Sequence, residues 1–270
     1  MNRALPNQTF YSLNKGKHQS EVFKLSNESA TVYVSTHFEL GNSDLLHFHE
    51  EPHLTFILNG GLKDKRKRFE TERFSGELMF FQAGEPHQTI TKTFPTKYFT
   101  LQFQNNFFKK FTTESKLTSA VEKNPNIKFE LLKLYRELLV NDEFSNISVE
   151  MLLYNVSDEK EISNEKIPAW LTKTVEMLND LWNEEISLAD LAKAANVHPK
   201  TISRYFPNYF KCTLGEYRRK IKIEKSLAMI KNSKLSLTEI AYECGFYDQS
   251  HFTAAFRNLT GFRPKQFQKL

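Results

Sequence analysis

Two stretches repeat one pattern, Ser187 to Phe206 (SLADLAKAANVHPKTISRYF) and Leu237 to Pro264 (LTEIAYECGFYDQSHFTAAFRNLTGFRP). The run Ser187-Leu-Ala-Asp-Leu-Ala192 is echoed 49 positions later by Ser236-Leu-Thr-Glu-Ile-Ala241. A serine followed three residues later by an acid is a capping box, which marks the start of a helix. Each copy therefore predicts one short helix that begins just after its serine.

The residues that follow each short helix predict a turn and then a second helix. Asn196 in one copy and Gly245 in the other tolerate the positive φ of a tight turn. Pro199 suits the first position of the next helix, and Asp248 suits an N-cap. The sequence therefore predicts two helix-turn-helix motifs in tandem.

The second helix of each copy has an apolar face and a polar face at helical spacing. The predicted core residues are Ile202, Tyr205 and Phe206 in the first copy and Phe252, Ala255, Phe256 and Leu259 in the second. The predicted outward residues are Lys200, Thr201, Ser203 and Arg204, and Gln249, Ser250, Thr253, Ala254 and Arg257. Such side chains suit base edges and phosphates, whereas a solvated helix face has the same composition. The tandem repeat favours nucleic-acid recognition over the solvated face.

A basic helix is predicted between the two copies. Thr213 and Glu216 form a third capping box, and Arg218, Arg219 and Lys220 begin the densest basic run of this region. A helix from there to Ile230 would span about 25 Å. It would place the second helices of the two motifs, the reading helices, about 34 Å apart, which is the length of one turn of DNA. The basic run would then be available to bind phosphates.

These residues resemble the AraC/XylS family of bacterial transcription regulators over about a hundred residues. Gly245-Phe246, Gln249-Ser250-His251-Phe252 and Gly261-Phe262-Arg263-Pro264 carry the resemblance most specifically. It implies that the base-facing positions are Lys200, Ser203, Arg204, Gln249, Ser250, Thr253 and Ala254. It also implies as partners double-stranded DNA, a small-molecule effector, RNA polymerase and a second copy of the chain.

Two positions depart from the family pattern. Pro207 lacks an N–H and is expected to end or kink the first reading helix near Ser203 to Phe206. Ala254 lies where many members carry a long polar side chain, so the second helix is expected to read fewer bases.

The charge is unevenly placed along the 270 residues, whose net charge is +5. Pro168 to Leu270 contains 16 Lys and Arg against 10 Asp and Glu, so the remainder holds 21 against 22. The excess of positive charge lies where attraction to phosphate is predicted. The N-terminal sequence has no apolar run, and no membrane-spanning stretch is predicted, so a cytoplasmic protein without membrane contact is expected.

The N-terminal half reads as short strands and turns from about Val22 to Phe103, which predicts a sandwich or a barrel. The spacing of Gly41, His47, His49, His53 and Gly60 resembles the first motif of the cupins, and Gly76, Gly84 and His87 resemble the second. His53 lies where metal cupins usually have Glu. A small barrel of this kind is the usual sensor domain of AraC-like regulators.

The four histidines have two interpretations. His47, His49, His53 and His87 lie at cupin ligand positions and suit Zn²⁺, Fe²⁺ or Ni²⁺. Regulatory cupins often keep such histidines without a metal, and then the same rings, with Phe56, would line a pocket for a small molecule. No cofactor is certain from the sequence, and the metal is the less favoured interpretation.

The predicted organisation has two domains and a linker. Residues 1–156 are expected to form a cupin-like domain for effector binding and dimerisation, with the barrel at about 20–105 and two helices at about 126–156. Residues 157–167 are charged and read as a linker, and 168–270 as the AraC-type DNA-binding domain. The predicted fold class is therefore multidomain α+β.

Three functions are compatible with this organisation. The favoured one is a ligand-responsive transcription regulator, which is not an enzyme. A metal-dependent cupin enzyme or metal sensor fused to a DNA-binding domain rests on the histidines alone. A third is a regulator whose barrel only dimerises.

Overall fold

A computed structural model describes residues 23–26, 28–37, 46–124, 126–157 and 167–270. Their contacts group them into two compact units. One unit contains the strands up to Gln104, and the other contains the helices from Asn105 to Leu270. No helix in the described ranges is both long enough and apolar enough to cross a membrane.

The first unit consists of antiparallel strands in two sheets, as the β-rich sequence predicts. The strands are β1 (Phe23–Ser26), β2 (Ala30–His37), β3 (His53–Asn59), β4 (Gly61–Arg66), β5 (Glu70–Phe74), β6 (Leu78–Phe81), β7 (His87–Thr91) and β8 (Thr96–Phe103). One sheet has the order β1-β2-β8-β3-β6, and the other has the order β5-β4-β7. Ile57, Leu62, Met79 and Phe81 form a core that joins strands of both sheets. The described strands do not close into a barrel.

The turn at Gly60 moves the chain from one sheet to the other. The Asn59-Gly60-Gly61 sequence is typical of a hairpin, but that prediction is wrong, because β3 pairs with β6 and β8 whereas β4 pairs with β5 and β7. Gly60 has a φ of +81°, and a Cβ there would lie 2.8 Å from the Cα of Thr96. The close approach of Thr96 therefore requires glycine at this turn.

The second unit is helical throughout its described regular structure. Its helices are α1 (Asn105–Lys110), α2 (Glu114–Lys123), α3 (Ile127–Val140), α4 (Ser145–Ser157), α5 (Ala169–Asp180), α6 (Leu188–Ala194), α7 (Pro199–Phe210), α8 (Leu214–Asn232), α9 (Leu237–Glu243), α10 (Gln249–Thr260) and α11 (Pro264–Gln268). The predicted helix pair at about 126–156 and the predicted connecting helix are confirmed as α3, α4 and α8.

Helices α1 to α4 belong to the same unit as the C-terminal helices, whereas α3 and α4 were predicted to belong with the strands. Tyr135 of α3 is buried, and its ring centroid lies 6.0 Å from that of Phe262. Apolar periodicity identifies a buried helix face but does not say which element covers it. Residues 158–166 lie outside the described residues, so the predicted linker and domain boundaries stay predictions.

Helix α7 continues through Pro207 to Phe210, so the prediction that the helix ends near this proline is wrong, whereas the alternative of a kink stays a prediction. The missing N–H affects the carbonyl of Ser203, which lies on the exposed side of the helix where water solvates it. The last turn is held by packing, since the ring of Phe210 lies 4.6 Å from that of Phe206 and 4.7 Å from that of Tyr217. The Lys211 N–H also donates to the Pro207 carbonyl at 2.9 Å.

Candidate nucleic-acid interface and histidine cluster

The first helix pair, α6 and α7, has the predicted caps and turn. The Asp190 N–H donates to the Ser187 hydroxyl at 3.1 Å, and the Ser187 N–H donates to the Asp190 carboxylate at 3.2 Å. Asn196 has a φ of 54° at the turn. His198 caps α7 by accepting a hydrogen bond from the Lys200 N–H at 3.2 Å, with Pro199 at the first position. The sequence did not predict this histidine cap. Pro199 indicates where the helix begins, but it does not indicate which side chain caps the helix.

The second helix pair, α9 and α10, repeats this geometry. The Ser236 N–H donates to the Glu239 carboxylate at 2.7 Å, and the Glu239 N–H donates to the Ser236 hydroxyl at 3.2 Å. Gly245 forms the turn with a φ of 66°, and Asp248 accepts the His251 N–H at 2.7 Å. The serine hydrogen bonds lower the pKa of both capping acids, Asp190 and Glu239.

The inward faces of α7 and α10 agree with the sequence except at two positions. Ile202, Phe206, Phe252 and Phe256 are fully buried and Ala255 is buried, whereas Leu259 is only half-buried. Tyr205 is 42% exposed, so its predicted place in the core is wrong. The buried stripe of α7 follows Ile202, Phe206 and Phe210, and Tyr205 lies at the margin of that stripe.

The outward faces of both helices are polar and accessible. The exposed members of the predicted set are Lys200, Ser203, Arg204, Gln249, Ser250, Ala254 and Arg257, and the half-exposed members are Thr201 and Thr253. The Gln249 carboxamide is held in place, because its oxygen accepts a hydrogen bond from the Thr238 hydroxyl at 2.9 Å. The carboxamide NH₂ of Gln249 is the group left to donate toward a base edge.

The basic run at the start of α8 divides into two kinds of residue. The Arg218 guanidinium donates to the carbonyls of Ile186 at 3.0 Å and Glu184 at 2.9 Å, and Lys222 donates to the Gly245 carbonyl at 2.7 Å. These two cations therefore hold the loop before α6 and the turn between α9 and α10. Arg219 and Lys220 instead line a cleft of about 560 Å³ between α8 and α10. They remain candidates for phosphate contact.

A second groove, of about 700 Å³, lies on the outward side of α10. Ala254, Arg257, Asn258 and Gly261 form one wall of this groove, and residues of α3 and α4 form the other. Two of the predicted DNA-contacting positions, Ala254 and Arg257, thus face helices that the sequence assigned to the other domain.

Three of the four candidate histidines converge in the first unit. One ring nitrogen from each of His47, His49 and His87 lies within 4.8 Å of the others. The Nε2 atoms of His47 and His49 are 3.1 Å apart. Two nitrogens bound to one metal at about 2.0–2.1 Å lie about 2.9–3.4 Å apart, for angles between 90° and tetrahedral. The spacing of the His47 and His49 nitrogens therefore matches two ligands of one metal, and His87 lies near enough to be a third.

Backbone contacts and burial orient His87 within this cluster. Its Nδ1 lies 2.9 Å from the Glu85 carbonyl, which leaves Nε2 as the nitrogen with a free lone pair. Burial lowers the pKa of His87 to about 4, although the Glu85 carbonyl opposes this, and the nearby cation Arg66 lowers it further. The ring is therefore neutral at physiological pH, as a metal ligand or a hydrogen-bonding pocket residue requires.

His53 is not among the three residues whose ring nitrogens converge, but its ring centroid lies 4.3 Å from that of His49 and 5.5 Å from that of His87. Its predicted role as a fourth ligand therefore stays a prediction. Its ring stacks on Phe81 with centroids 4.7 Å apart. Burial, together with His49 and His87, keeps its pKa well below the ordinary value. Phe56 is fully buried but lies on the opposite face of β3 from His53, because residues an odd number apart in a strand point to opposite faces. The predicted contact of Phe56 with an effector stays a prediction.

The two cysteines are free and buried. Burial raises the pKa of Cys244 to about 12, and its sulfur lies 3.8 Å from that of Met229. Cys244 is therefore a small core residue.

Comparison with known proteins assigns the C-terminal region to a class. Residues 191–270 match a family model described as a helix-turn-helix domain. The Msm operon regulatory protein of Streptococcus mutans is 25% identical over 170 residues, which cover 62% of this chain and 61% of that protein. The transcriptional activator RhrA of Rhizobium meliloti is 32% identical over 34% of this chain and 29% of its own length. The activator RhaS of Enterobacter sp. strain 638 is 27% identical over 37% of this chain and 36% of its own length.

The C-terminal region is thus an AraC-type helix-turn-helix domain. The chain spans less than two thirds of the length of each of these relatives.

Proposed function

We propose that this chain is a sequence-specific DNA-binding regulator of transcription. The observation that carries the proposal is the repeated pair of capped helices, α6–α7 and α9–α10, each with a polar outward face. Helix α8 has 19 residues and is about 28 Å long, which approaches the spacing of one DNA turn. The two outward helices would read successive major grooves, with Lys200, Ser203 and Arg204 on α7 and Gln249, Ser250 and Thr253 on α10.

The test begins with genomic footprinting of the full chain, followed by binding titrations on the recovered site and on random DNA. Arg204→Ala on α7 is expected to weaken specific binding more than random binding, by about 1–3 kcal/mol, if it contacts a base. Lys173→Ala on α5, an exposed residue paired with Glu176, changes the net charge equally and serves as control. Equal binding of the recovered site and random DNA would contradict sequence-specific recognition.

The first unit is the proposed sensor. The partly exposed His47 and His49, together with buried His87, present hydrogen-bonding nitrogens toward one point, and the chain also exposes Phe48, which is 39% exposed. This combination suits a small molecule with polar groups and an apolar part. Binding of such an effector is expected to change the affinity for DNA, with the recovered target genes indicating which molecules to try.

A metal-dependent role is the second candidate, and the convergence of His47, His49 and His87 favours it. A bound divalent metal would supply a Lewis acid or a fixed positive charge at this point. Turnover of a substrate by metal-loaded protein would favour an enzyme, and metal-dependent DNA affinity would favour a metal sensor. DNA binding that is indifferent to every ligand and metal would favour a first unit that serves only assembly.

Homodimerisation is proposed through α4. Ile147 and Tyr154 of α4 are 64% and 55% exposed, and Phe144, just before this helix, is 62% exposed. The spacing of Ile147 and Tyr154 puts both on one face of the helix. A stripe of large exposed apolar side chains is typical of a protein-protein interface. RNA polymerase stays a predicted partner of the DNA-bound protein.

A further inference from the structure

Helix α3 is attached to the C-terminal helices at three points. The Lys128 ammonium lies 2.6 Å from the Glu224 carboxylate of α8. The buried Tyr135 packs near Phe262, as described above. At the end of α10, a Cβ on Gly261 would lie 3.1 Å from the Cδ of Arg136, so this arginine rests directly on the helix end.

The hairpin of α3 and α4 faces the outward side of α10. Phe252 and Phe256 mark the buried side of that helix. At 100° per residue, Ala254, Arg257 and Gly261 lie on the side away from them. These residues line the groove of about 700 Å³ whose other wall includes Lys133, Arg136 and Met151. The residues that open α10, Gln249 and Ser250, do not line this groove.

A helix with another helix against its outward side cannot enter the DNA major groove along its full length. The major groove is about 12 Å wide, which is close to the diameter of one helix with its side chains. A neighbouring helix adds about 8–10 Å between axes. We propose that the α3–α4 hairpin, docked as in this structure, is an autoinhibitory element that keeps Arg257 and the C-terminal half of α10 away from DNA. This inference rests on the proposed DNA-binding function.

The charges around the groove favour release of the hairpin when DNA is present. Lys133, Arg136 and Arg257 all line it, against the single carboxylate of Glu137. Lys133 is paired with Glu130, whereas Arg136 and Arg257 form no ion pair within the described ranges. Bringing like charges together weakens docking, and a phosphate backbone would neutralise Arg257 once the hairpin moves.

The test is a charge swap at the Lys128–Glu224 contact, read out by DNA affinity. In the full chain, Lys128→Glu places a second carboxylate next to that of Glu224, and the repulsion should release the hairpin. We expect the affinity for the footprinted site to rise by about 2–5-fold. Lys116→Glu on α2 makes the same change in net charge at an exposed residue and should not raise affinity. Adding Glu224→Lys to Lys128→Glu restores the pair, so its affinity should fall below that of Glu224→Lys alone.

A second readout separates release of the hairpin from a general effect on folding. Arg257→Ala should cost less than about 2-fold in the wild type, where the hairpin faces this residue. In the Lys128→Glu background it should cost about 5-fold or more, because Arg257 then contacts phosphate. Equal costs in both backgrounds, or a loss of affinity with Lys128→Glu beyond that of the control, would overturn the inference while leaving DNA binding intact. Failure of every variant and the wild type to bind DNA at low salt would overturn the proposed function and the inference with it.

Discussion

Arg218 and Arg219 are adjacent in sequence but have different surroundings. The Arg218 guanidinium makes two hydrogen bonds to the carbonyls of Ile186 and Glu184 just before α6. Arg219 is exposed and lines the cleft between α8 and α10. A guanidinium that satisfies backbone carbonyls stabilises the fold, whereas an exposed one is available to phosphate.

We therefore expect opposite results from two alanine substitutions. Arg218→Ala should lower the free energy of unfolding by about 1–3 kcal/mol, because charged hydrogen bonds to the two carbonyls are lost. Arg219→Ala should leave stability nearly unchanged and reduce the slope of log affinity against log salt by about one. Urea unfolding and salt titrations of DNA binding measure the two quantities. An unchanged salt slope for Arg219→Ala would make this residue part of a solvated face.

Gln249 is the residue of α10 best placed for a base contact, since Thr238 orients its carboxamide. Gln249→Ala should weaken binding to the specific site by about 1–3 kcal/mol and relax the preference at one base position. Thr238→Val removes the orienting hydroxyl and keeps the shape, so it should give a smaller loss at the same base position. Binding to a set of single-base variants of the site measures this preference. Equal losses on specific and random DNA would argue against direct readout by Gln249.

The capping boxes decide where the short helices begin, and they make a prediction about α9. Ser236→Ala should lower the free energy of unfolding by about 1 kcal/mol, because the Glu239 N–H loses its acceptor. The pKa of Glu239 is lowered in the folded state, mainly by the hydrogen bond from the Ser236 N–H. Stability from this carboxylate is therefore present above its unfolded pKa and is lost as pH falls through the lower folded value. Because Ser236→Ala keeps this N–H, the variant for the acid dependence is Glu239→Gln, which removes the titrating carboxylate. It should flatten that dependence in thermal unfolding between about pH 5 and pH 3, and an unchanged profile would contradict the cap.

The starts and turns of the short helices could be predicted from the sequence, because the capping and turn residues that specify them lie within a few residues of one another. Ser187 with Asp190, Ser236 with Glu239, and the turn residues Asn196 and Gly245 all fall where expected. Pro207 failed as a helix terminator because packing of Phe206 and Phe210 outweighs one missing hydrogen bond. The turn at Gly60 was predicted wrongly because strand pairing depends on partners distant in sequence, which the turn residues do not specify.

At the scale of the whole molecule, sequence periodicity could not assign the α3–α4 hairpin to a neighbour. Its apolar stripe predicted burial, and Tyr135 is buried, but the covering residue, Phe262, is 127 positions away in the chain. Likewise the cupin-like spacing indicated the histidine cluster, in which His47, His49 and His87 converge. The position of His53 beside them on Phe81 is set by the pairing of β3 with β6, which the local sequence does not specify.

The exposed stripe of α4 predicts the oligomeric state. Ile147→Asp should convert a dimer into a monomer, because a charge placed in an apolar interface has to be desolvated. Tyr242→Asp on α9, where the tyrosine is 60% exposed, introduces the same charge away from the stripe and should leave the dimer intact. Analytical ultracentrifugation at several concentrations measures both. A wild-type chain that stays monomeric at tens of micromolar would remove α4 as a dimer surface.

The three-histidine cluster gives the last prediction, which separates a metal site from a pocket. We expect protein purified without added metal to carry well under one equivalent, because three imidazoles supply no carboxylate to hold the ion. With Zn²⁺ or Ni²⁺ added, His87→Ala should abolish binding at this site, whereas His53→Ala should retain it, because the His53 ring lies outside the converging set. Burial lowers the pKa of His87 to about 4, so protonation of this ring does not compete with metal at neutral pH. Elemental analysis and metal titrations of the three proteins measure occupancy. Equal loss in both variants would contradict the geometry, and stoichiometric, tightly held metal whose removal abolishes DNA binding would make the first unit a metal sensor.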